Sequence, residues 1–248
     1  FRDSSVPGEL LLQRSDGTPP IRLGKADGMG ISSDGQWVLA ISNGTPRELV
    51  LIPTGPGPVK KIPIEGVEPQ QALLLPNAKG FLVIGKLTGQ SSFQLFLVGP
   101  EGGKGRAIGG VGGLTSPSVG EGWAASPDGD RFAYLGNDRR LRVGPVSSGE
   151  VTTVPGAPFA WNEYPAQWSA DGRFLFIMKV GGQGIPAEFD RLELATGHRE
   201  TWKKLMPADP AGASVVGGAF DISRDGLSYA YSYERVLTSD LFVVEGVE

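Results

Sequence analysis

Residues 126–135 read SPDGDRFAYL, a four-residue turn followed directly by an apolar strand. The pattern Ser-x-Asp-Gly at the start of this stretch occurs four times in the chain, and a degenerate fifth copy reads PNAKG. The five copies occupy residues 32–35, 76–80, 126–129, 169–172 and 223–226. Their glycines are 45, 49, 43 and 54 residues apart. A period of about 40–50 residues built from strands is typical of a β-propeller.

Each copy of the turn is followed by strand-like segments of the same kind. After Gly129, for example, come apolar strands at 132–135 and 141–146, a Gly-containing turn, and a shorter, more polar strand at 151–154. A short strand precedes each turn, and no helical periodicity interrupts the pattern. Four antiparallel strands per repeat form one propeller blade. The sequence therefore predicts an all-β fold, a β-propeller of four-stranded antiparallel blades.

The strand order predicts six blades, the first of them incomplete at the N-terminus. Residues 9–13 and 21–23 have the character of third and fourth strands, and the last predicted strand ends at Val244. The predicted blades span approximately residues 1–26 (partial), 27–66, 67–112, 113–157, 158–210 and 211–248. A seven-bladed parent chain is the alternative.

The residue types of the repeated turn have a structural explanation. Aspartate accepts hydrogen bonds from the backbone of its own turn, and glycine adopts the left-handed conformation that the turn requires. The predicted structural turn residues are Asp34, Gly35, Asp128, Gly129, Asp171, Gly172, Asp225 and Gly226. A calcium loop beginning at Asp128 would need a glutamate at its twelfth position, which is Arg139. No metal site is therefore predicted.

Composition and charge narrow the function classes. The 248 residues are 40% hydrophobic and 20% charged, with a net charge of −4, as expected of a globular protein. Because no basic stripe is present, we expect no nucleic-acid partner. No apolar run reaches the roughly 20 residues that span a bilayer, so we expect no membrane insertion by this segment. The lack of cysteine excludes disulfides, thiolate nucleophiles and cysteine-based zinc sites.

The sequence contains no recognisable catalytic set. His198 is the only histidine, and the Gly-x-Ser-x-Gly pattern of hydrolase nucleophiles does not occur. The glycine-rich segment 99–105 lacks the spacing of a phosphate-binding loop, and 109–113 lacks that of a dinucleotide fingerprint. We therefore predict that the domain itself is not an enzyme and needs no cofactor, and that His198 lies in a solvated turn.

The connections between successive blades gather around one mouth of a propeller and are its usual binding surface. Here they cover residues 111–122, 157–167 and 206–217. The candidate residues for binding a partner or a small ligand are Trp161, Asn162, Glu163 and Tyr164. Aromatic rings beside a carboxylate are typical anchors for such ligands. The alternative is that Trp161 and Tyr164 fill space between blades. Glu188 and Asp190 are interpreted as solubilising surface residues.

The repeat resembles the WD40-like repeats, often called PD40, of TolB-like propellers. The resemblance covers nearly the whole chain. More specific segments in the last third are WSADG at 168–172, LELATG at 192–197, LMPADPAG at 205–212, YAYSY at 229–233 and SDLFVVEG at 239–246. These segments are similar to the C-terminal propeller of bacterial eukaryotic-like serine/threonine protein kinases.

This resemblance implies a non-catalytic module that senses a ligand or binds a protein for a larger bacterial signalling protein, a serine/threonine kinase. It also implies a location on the extracytoplasmic, periplasmic side. The bound partner is a protein, a peptide or a small molecule. Two alternatives stay open: the gating propeller of a prolyl-oligopeptidase-like or tricorn-like peptidase, and a TolB-like periplasmic scaffold.

Overall fold

The computed structural model describes residues 9–14, 16–108, 122–156, 158–179, 187–222 and 227–235. Regular structure in these ranges is β-strand, apart from one 3-10 turn at Pro76–Ala78. No helix among the described residues is long and apolar enough to cross a membrane. The predicted all-β fold class is confirmed.

The strands of the described ranges form five sheets. Sheet 1 contains β1 (Glu9–Leu12), β2 (Ile21–Ile31), β3 (Trp37–Ser42), β4 (Leu49–Pro53) and β5 (Lys60–Ile62). Sheet 2 contains β6 (Ile64–Glu65), β7 (Val67–Leu74), β8 (Phe81–Leu87), β9 (Phe93–Gly99) and β10 (Gly102–Ala107). Sheet 3 contains β11 (Trp123–Ala125), β12 (Arg131–Leu135), β13 (Leu141–Pro145) and β14 (Thr152–Thr153). Sheet 4 contains β15 (Glu163–Trp168), β16 (Phe174–Lys179), β17 (Ala187–Glu193) and β18 (Arg199–Leu205), and sheet 5 contains β19 (Ala213–Ile222) and β20 (Tyr229–Arg235).

Apart from β6, strands that follow one another in the chain are neighbours in each sheet. Sheets 3 and 4 are four-stranded meanders in which every pair is antiparallel, which is the construction of a propeller blade. Sheets 2 and 3 are each covered on both faces, by the sheet before and the sheet after. This explains why their inner strands, such as β8 and β12, read as nearly continuous apolar runs.

The core consists of the interfaces between consecutive sheets. Because side chains alternate along a strand, one strand supplies two interfaces. In β8, Phe81 and Val83 pack against sheet 1, whereas Leu82 and Ile84 pack against sheet 3. The same alternation in β12 divides its side chains between sheets 2 and 4. The packing therefore stacks the sheets as blades around an axis.

The meander also decides where each hairpin lies. The first and third hairpins of a blade end on one face of the propeller, which carries the Ser-x-Asp-Gly turns and is called the turn face. The second hairpins and the connections between sheets lie on the opposite face, called the connection face. Residues at either face are brought together from different sheets, although they are far apart in sequence.

Sheet 1 differs from the sequence prediction. The pattern predicts separate strands at 21–23 and 30–31, whereas β2 is one continuous strand whose first half pairs with β1 and whose second half pairs with β3. Gly28 permits this arrangement, because a Cβ there would lie 2.6 Å from Leu10 Cδ1. The number of blades in the whole fold stays a prediction. The turn at 223–226, with Asp225 and Gly226, and the predicted strand at 241–244 lie outside the described residues.

A short parallel strand links sheets 1 and 2. The chain leaving β5 adds β6 to the outer edge of sheet 2, where β6 pairs parallel with β10. The Gly103 N–H donates to the Pro63 carbonyl at 2.8 Å. Gly102 has a positive φ of +85° and lies so close to Pro63 that a Cβ would approach its carbonyl oxygen to 2.2 Å. The contact therefore depends on a residue without a side chain.

Candidate binding surface on the connection face

The described Ser-x-Asp-Gly turns share one set of hydrogen bonds. In SPDGDRFAYL, the Gly129 N–H donates to the Ser126 carbonyl at 2.8 Å. Asp128 Oδ1 accepts from the Asp130 N–H at 2.9 Å and from the Ser126 hydroxyl at 2.5 Å. The equivalent bonds are made by Ser32, Asp34 and Gly35, and by Ser169, Asp171 and Gly172. All three glycines have φ between 66° and 70°.

The acidic cluster of this stretch faces a lysine of the preceding sheet. Lys79 Nζ donates to the Asp128 carbonyl at 3.0 Å and forms an ion pair with the Asp130 carboxylate. Hydrogen bonds from the Ser126 hydroxyl and the Asp130 N–H hold the pKa of Asp128 below its usual value. Among the residues that the structure describes, no group of three or more His, Asp or Glu side chains is placed to hold a metal ion. The acids connect two neighbouring sheets.

The four candidate binding residues lie on the connection face, where the chain enters sheet 4. Trp161 and Asn162 occupy a turn, and Glu163 and Tyr164 are the first residues of β15. Trp161 is 81% exposed. Its carbonyl accepts a hydrogen bond from the Tyr164 hydroxyl at 2.8 Å. The turn therefore holds a large indole ring in solvent, while the polar end of Tyr164 supports the backbone beneath it.

Arg139, from the second hairpin of sheet 3, clamps this turn. Its guanidinium donates to the carbonyls of Ala160 and Glu163, and its own carbonyl accepts from the Phe159 N–H at 2.8 Å. The guanidinium carbon lies 4.9 Å from the Tyr164 ring centroid and 5.6 Å from that of Trp161. Cation–π contacts at these distances stabilise the rings. Arg139 thus couples sheet 3 to the connection that carries Trp161.

Glu163 is held by a second arginine, from the outer strand of sheet 4. Arg199 donates to both Glu163 carboxylate oxygens, at 2.9 Å and 2.7 Å. The Glu163 side chain is only 15% exposed, and that of Arg199 is 24% exposed. Burial would raise the pKa of Glu163, but the hydrogen bonds from Arg199 and the Ala160 N–H outweigh it and lower that pKa. Glu163 is therefore an ionised support of the turn at neutral pH.

The ion pair extends into a network, which corrects the interpretation of Asp190 as a surface residue. Asp190 is only 5% exposed and accepts from Arg199 Nε at 2.6 Å. Lys179 Nζ lies 3.3 Å from Asp190 and 3.4 Å from Glu188, and Lys204 Nζ lies 2.6 Å from Glu188. In β17 the side chains of Asp190 and Leu192 share a face, and Leu192 packs in the core between sheets 3 and 4. Charged residues therefore close the connection-face end of that interface.

Arg139 and Arg199 were not predicted from the sequence. Arg139 has a φ of +59°, a conformation that the residue type does not announce. Arg199 lies directly opposite Leu192, an apolar residue of the neighbouring strand. This pairing of β17 with β18 was the one indication that a charged side chain is buried here. His198, by contrast, lies exposed beside the turn before β18, as its neighbours Thr196 and Gly197 predict.

The geometry suits binding better than bond-making chemistry. Trp161 is presented outward on a backbone fixed by Arg139, Tyr164 and Glu163, so little conformational entropy is lost when a partner covers it. Exposed tryptophan and arginine are the residue types that most often anchor protein interfaces. Within the described ranges, the buried carboxylates near Trp161 are each paired with a cation.

The stacked antiparallel meanders and the mouth-facing connections define this chain as a β-propeller protein. No protein-family model matches the sequence, and no curated protein matches it. Its fold is similar to that of a protein assigned as TolB from Agrobacterium tumefaciens, with 18% identity over 86% of this chain and 83% of that chain and a TM-score of 0.57.

Two further solved structures share the fold. TolB from Acinetobacter baumannii matches with 14% identity and a TM-score of 0.57, over 91% of this chain and 59% of that chain. Hydrazine synthase from Kuenenia stuttgartiensis matches with 15% identity and a TM-score of 0.51, over 82% of this chain and 54% of that chain. These structural matches show the propeller fold, which this chain shares with two TolB structures.

Proposed function

We propose that this propeller is a non-catalytic interaction module that binds a protein or peptide through Trp161 on the connection face. The observation that carries the proposal is the combination of an 81% exposed indole with a turn held by two arginines. A surface residue without a partner has no need of such support. The fold alone does not determine whether the chain is an interaction module or part of an enzyme, because its structural neighbours include both TolB proteins and an enzyme.

The partner is expected to present an apolar or aromatic side chain. Trp161 offers a flat apolar face, and the carbonyls beneath it are already used by the Arg139 guanidinium. Buried tryptophan anchors at interfaces commonly contribute 2 kcal/mol or more. We expect the polar side chain of Asn162, also exposed, to lie at the rim of the interface and to contribute less.

At a finer level, we propose that the module serves the extracytoplasmic part of a bacterial signalling protein, a serine/threonine kinase. The support is the sequence similarity of the last third of the chain to kinase C-terminal propellers. The full reading frame tests it: a kinase domain and a membrane-spanning helix upstream would support the assignment. Their absence, with a secretion signal directly before the propeller, would favour the TolB-like periplasmic scaffold, which the structural neighbours also suggest.

Replacing Trp161 by alanine is expected to weaken peptide binding about 30-fold while leaving the thermal midpoint unchanged. The loss corresponds to about 2 kcal/mol for a central aromatic anchor. The stability should not change because the side chain is exposed. The measurement is isothermal titration of the wild type and the variant with a peptide selected on the wild-type chain from a random phage-displayed library.

Leu227→Ala is the matched control. Leu227 is 79% exposed and lies just before β20, at the turn-face end of that strand, so its removal deletes an apolar surface on the opposite face. Its affinity for the selected peptide should equal that of the wild type. Selection of no peptide, equal binding by the Trp161 variant, or an equal loss with Leu227→Ala would contradict the proposal.

A further inference from the structure

A cavity of about 480 Å³ opens on the turn face between sheets 1 and 2. Its apolar lining consists of Ile31, Trp37, Leu51, Ile62, Leu74, Leu75, Pro76, Phe81 and Pro100. Leu75 and Phe81 at its floor are completely buried, and Ile31 at its rim is 55% exposed. The volume lies within the range of small-molecule sites, which are concave, mostly apolar and marked by a few polar groups.

The corresponding gaps between sheets 2 and 3 and between sheets 3 and 4 are closed by side chains. Between sheets 2 and 3, Lys79 binds the Asp128 carbonyl, and Arg106 donates to the Val146 carbonyl at 2.8 Å. Between sheets 3 and 4, Arg131 donates to the Gly172 carbonyl at 2.8 Å. Among the hydrogen bonds of the described residues, none joins the turns of sheets 1 and 2. The cavity is therefore an opening in an otherwise bonded series of turns.

The residues at this opening explain why it is not closed. The outer strand of sheet 2 supplies Arg106 to the next sheet, whereas the outer strand of sheet 1 supplies Lys60. Lys60 Nζ lies 4.5 Å from the Trp37 ring centroid of its own sheet. Sheet 1 has Trp37 at the position of Arg131, two residues after the turn glycine, so this position provides no cation to reach the turn of sheet 2. A cation held over an indole shows that the ring accepts positive charge here.

The charged groups around the cavity favour a cation. They are Asp34, Lys60 and Glu101, with a net charge of −1. Asp34 accepts from the Ser32 hydroxyl and the Gln36 N–H through Oδ1, so the bonds of the turn use one of its two carboxylate oxygens. These hydrogen bonds keep the pKa of Asp34 below its usual value, so the carboxylate is charged at neutral pH. An anionic ligand would meet two carboxylates and one ammonium.

We propose that this turn-face cavity binds a small organic cation with an apolar body. The body would lie on Leu51 and Leu74, and its ammonium group would bind between Asp34 and Glu101 or exchange with Lys60 over the Trp37 ring. This site is independent of the Trp161 surface, because the two lie on opposite faces of the propeller. It gives the module a small-molecule input separate from its proposed protein partner.

The test compares three probes with the same indol-3-ylethyl body: tryptamine, its neutral alcohol analogue tryptophol, and the anion indole-3-propionate. Dissociation constants are measured on the full chain by saturation-transfer NMR. We expect tryptamine to bind most tightly and indole-3-propionate least. Asp34→Asn should weaken tryptamine about three- to fivefold, the amount that a partly exposed ion pair contributes. Ile31→Glu should tighten tryptamine binding and Ile31→Lys should weaken it, since this exposed position tolerates either charge.

Asp171→Asn is the matched control for Asp34→Asn. Asp171 makes the same turn hydrogen bonds in sheet 4 and does not line the cavity. Asp171→Asn should change the stability as much as Asp34→Asn does and leave tryptamine binding unchanged. Trp161→Ala should also leave tryptamine binding unchanged. The proposal is overturned if no probe binds, if indole-3-propionate binds as tightly as tryptamine, or if the two Asp→Asn variants lose affinity equally.

Discussion

Replacing Arg199 by alanine is expected to lower the free energy of unfolding by about 3 kcal/mol. Arg199 pairs with two largely buried carboxylates, Glu163 and Asp190, at 2.7 Å and 2.6 Å. Its loss leaves the Glu163 carboxylate without its cation at the interface between sheets 3 and 4, whereas Asp190 keeps Lys179 at 3.3 Å. Removing one partner of a buried pair costs far more than the pair itself contributes, because the remaining charge has lost its water and its counterion.

Urea denaturation at pH 7 measures this effect, and the thermal midpoint should fall by roughly 6–12 °C for a chain of this size. Arg191→Ala is the control, since Arg191 pairs with Glu200 on the surface, where the side chains are 39% and 49% exposed. Exposed pairs contribute about 0–1 kcal/mol, so that variant should stay close to the wild type. Equal losses in the two variants would show that burial of the network is unimportant.

The free energy of unfolding of the wild type and of the Arg199→Ala variant should differ in its dependence on pH. The pKa of Glu163 is lowered in the folded chain from its ordinary value of 4.5, so its stabilisation is present above that value and is lost as the pH falls through the folded pKa. Without Arg199, burial would instead favour the protonated acid. The stability difference between wild type and Arg199→Ala should therefore be largest near pH 7 and shrink below about pH 4. A constant difference across this range would contradict the assignment.

Gly129→Ala is expected to destabilise the fold by about 3 kcal/mol, and Gly35→Ala by only about 1 kcal/mol. Both glycines occupy the same position of the repeated turn, with φ of +70°. Alanine therefore pays the same left-handed backbone penalty at each site. At Gly129, however, the new Cβ would lie 2.7 Å from the Pro76 carbonyl oxygen of sheet 2, whereas at Gly35 nothing lies within 4 Å.

Parallel urea titrations of the two variants measure the difference directly. Circular dichroism of each folded variant controls for a change of secondary structure. A further variant, Asn77→Ala, removes one of the side chains that contact the Asp128 carbonyl, at 3.2 Å, without adding bulk. It should cost less than Gly129→Ala, because the affected contact is exposed. Indistinguishable losses for the two glycines would show that the contact between the turns does not constrain Gly129.

The sequence predicted the blade architecture because its signals are local. The hydrogen bonds that define a Ser-x-Asp-Gly turn join residues within about five positions of one another, so each described copy has the same turn geometry. Alternation within a strand such as β8 likewise predicts two buried faces. The continuous β2 was not predictable in this way, because pairing of one strand with two neighbours depends on Gly28 meeting Leu10, a contact between distant residues.

For the candidate binding residues, too, local sequence predicted one part of the site and contacts between distant residues determined the other. Composition singled out Trp161 and Tyr164, and the structure places them together on the connection face. The supporting residues could not be found from local sequence patterns. Arg139, from a hairpin of sheet 3, and Arg199, from the outer strand of sheet 4, are separated from Glu163 by 24 and 36 residues. Asp190 was interpreted as a surface residue, since alternation along β17 says only which side chains share a face and not which face is covered.

The stretch SPDGDRFAYL contains both kinds of information. Its turn and its strand follow from residue type, because the φ preference of glycine and the hydrogen-bonding reach of serine and aspartate are properties of a few neighbouring residues. What Asp128, Gly129 and Asp130 touch follows from the stacking of sheet 2 on sheet 3, which brings Lys79 and Pro76 against them. Identical turns therefore line an open cavity at Asp34 and a closed contact at Asp128. Close packing between sheets is a long-range property, and it alone distinguishes the copies of a repeated motif.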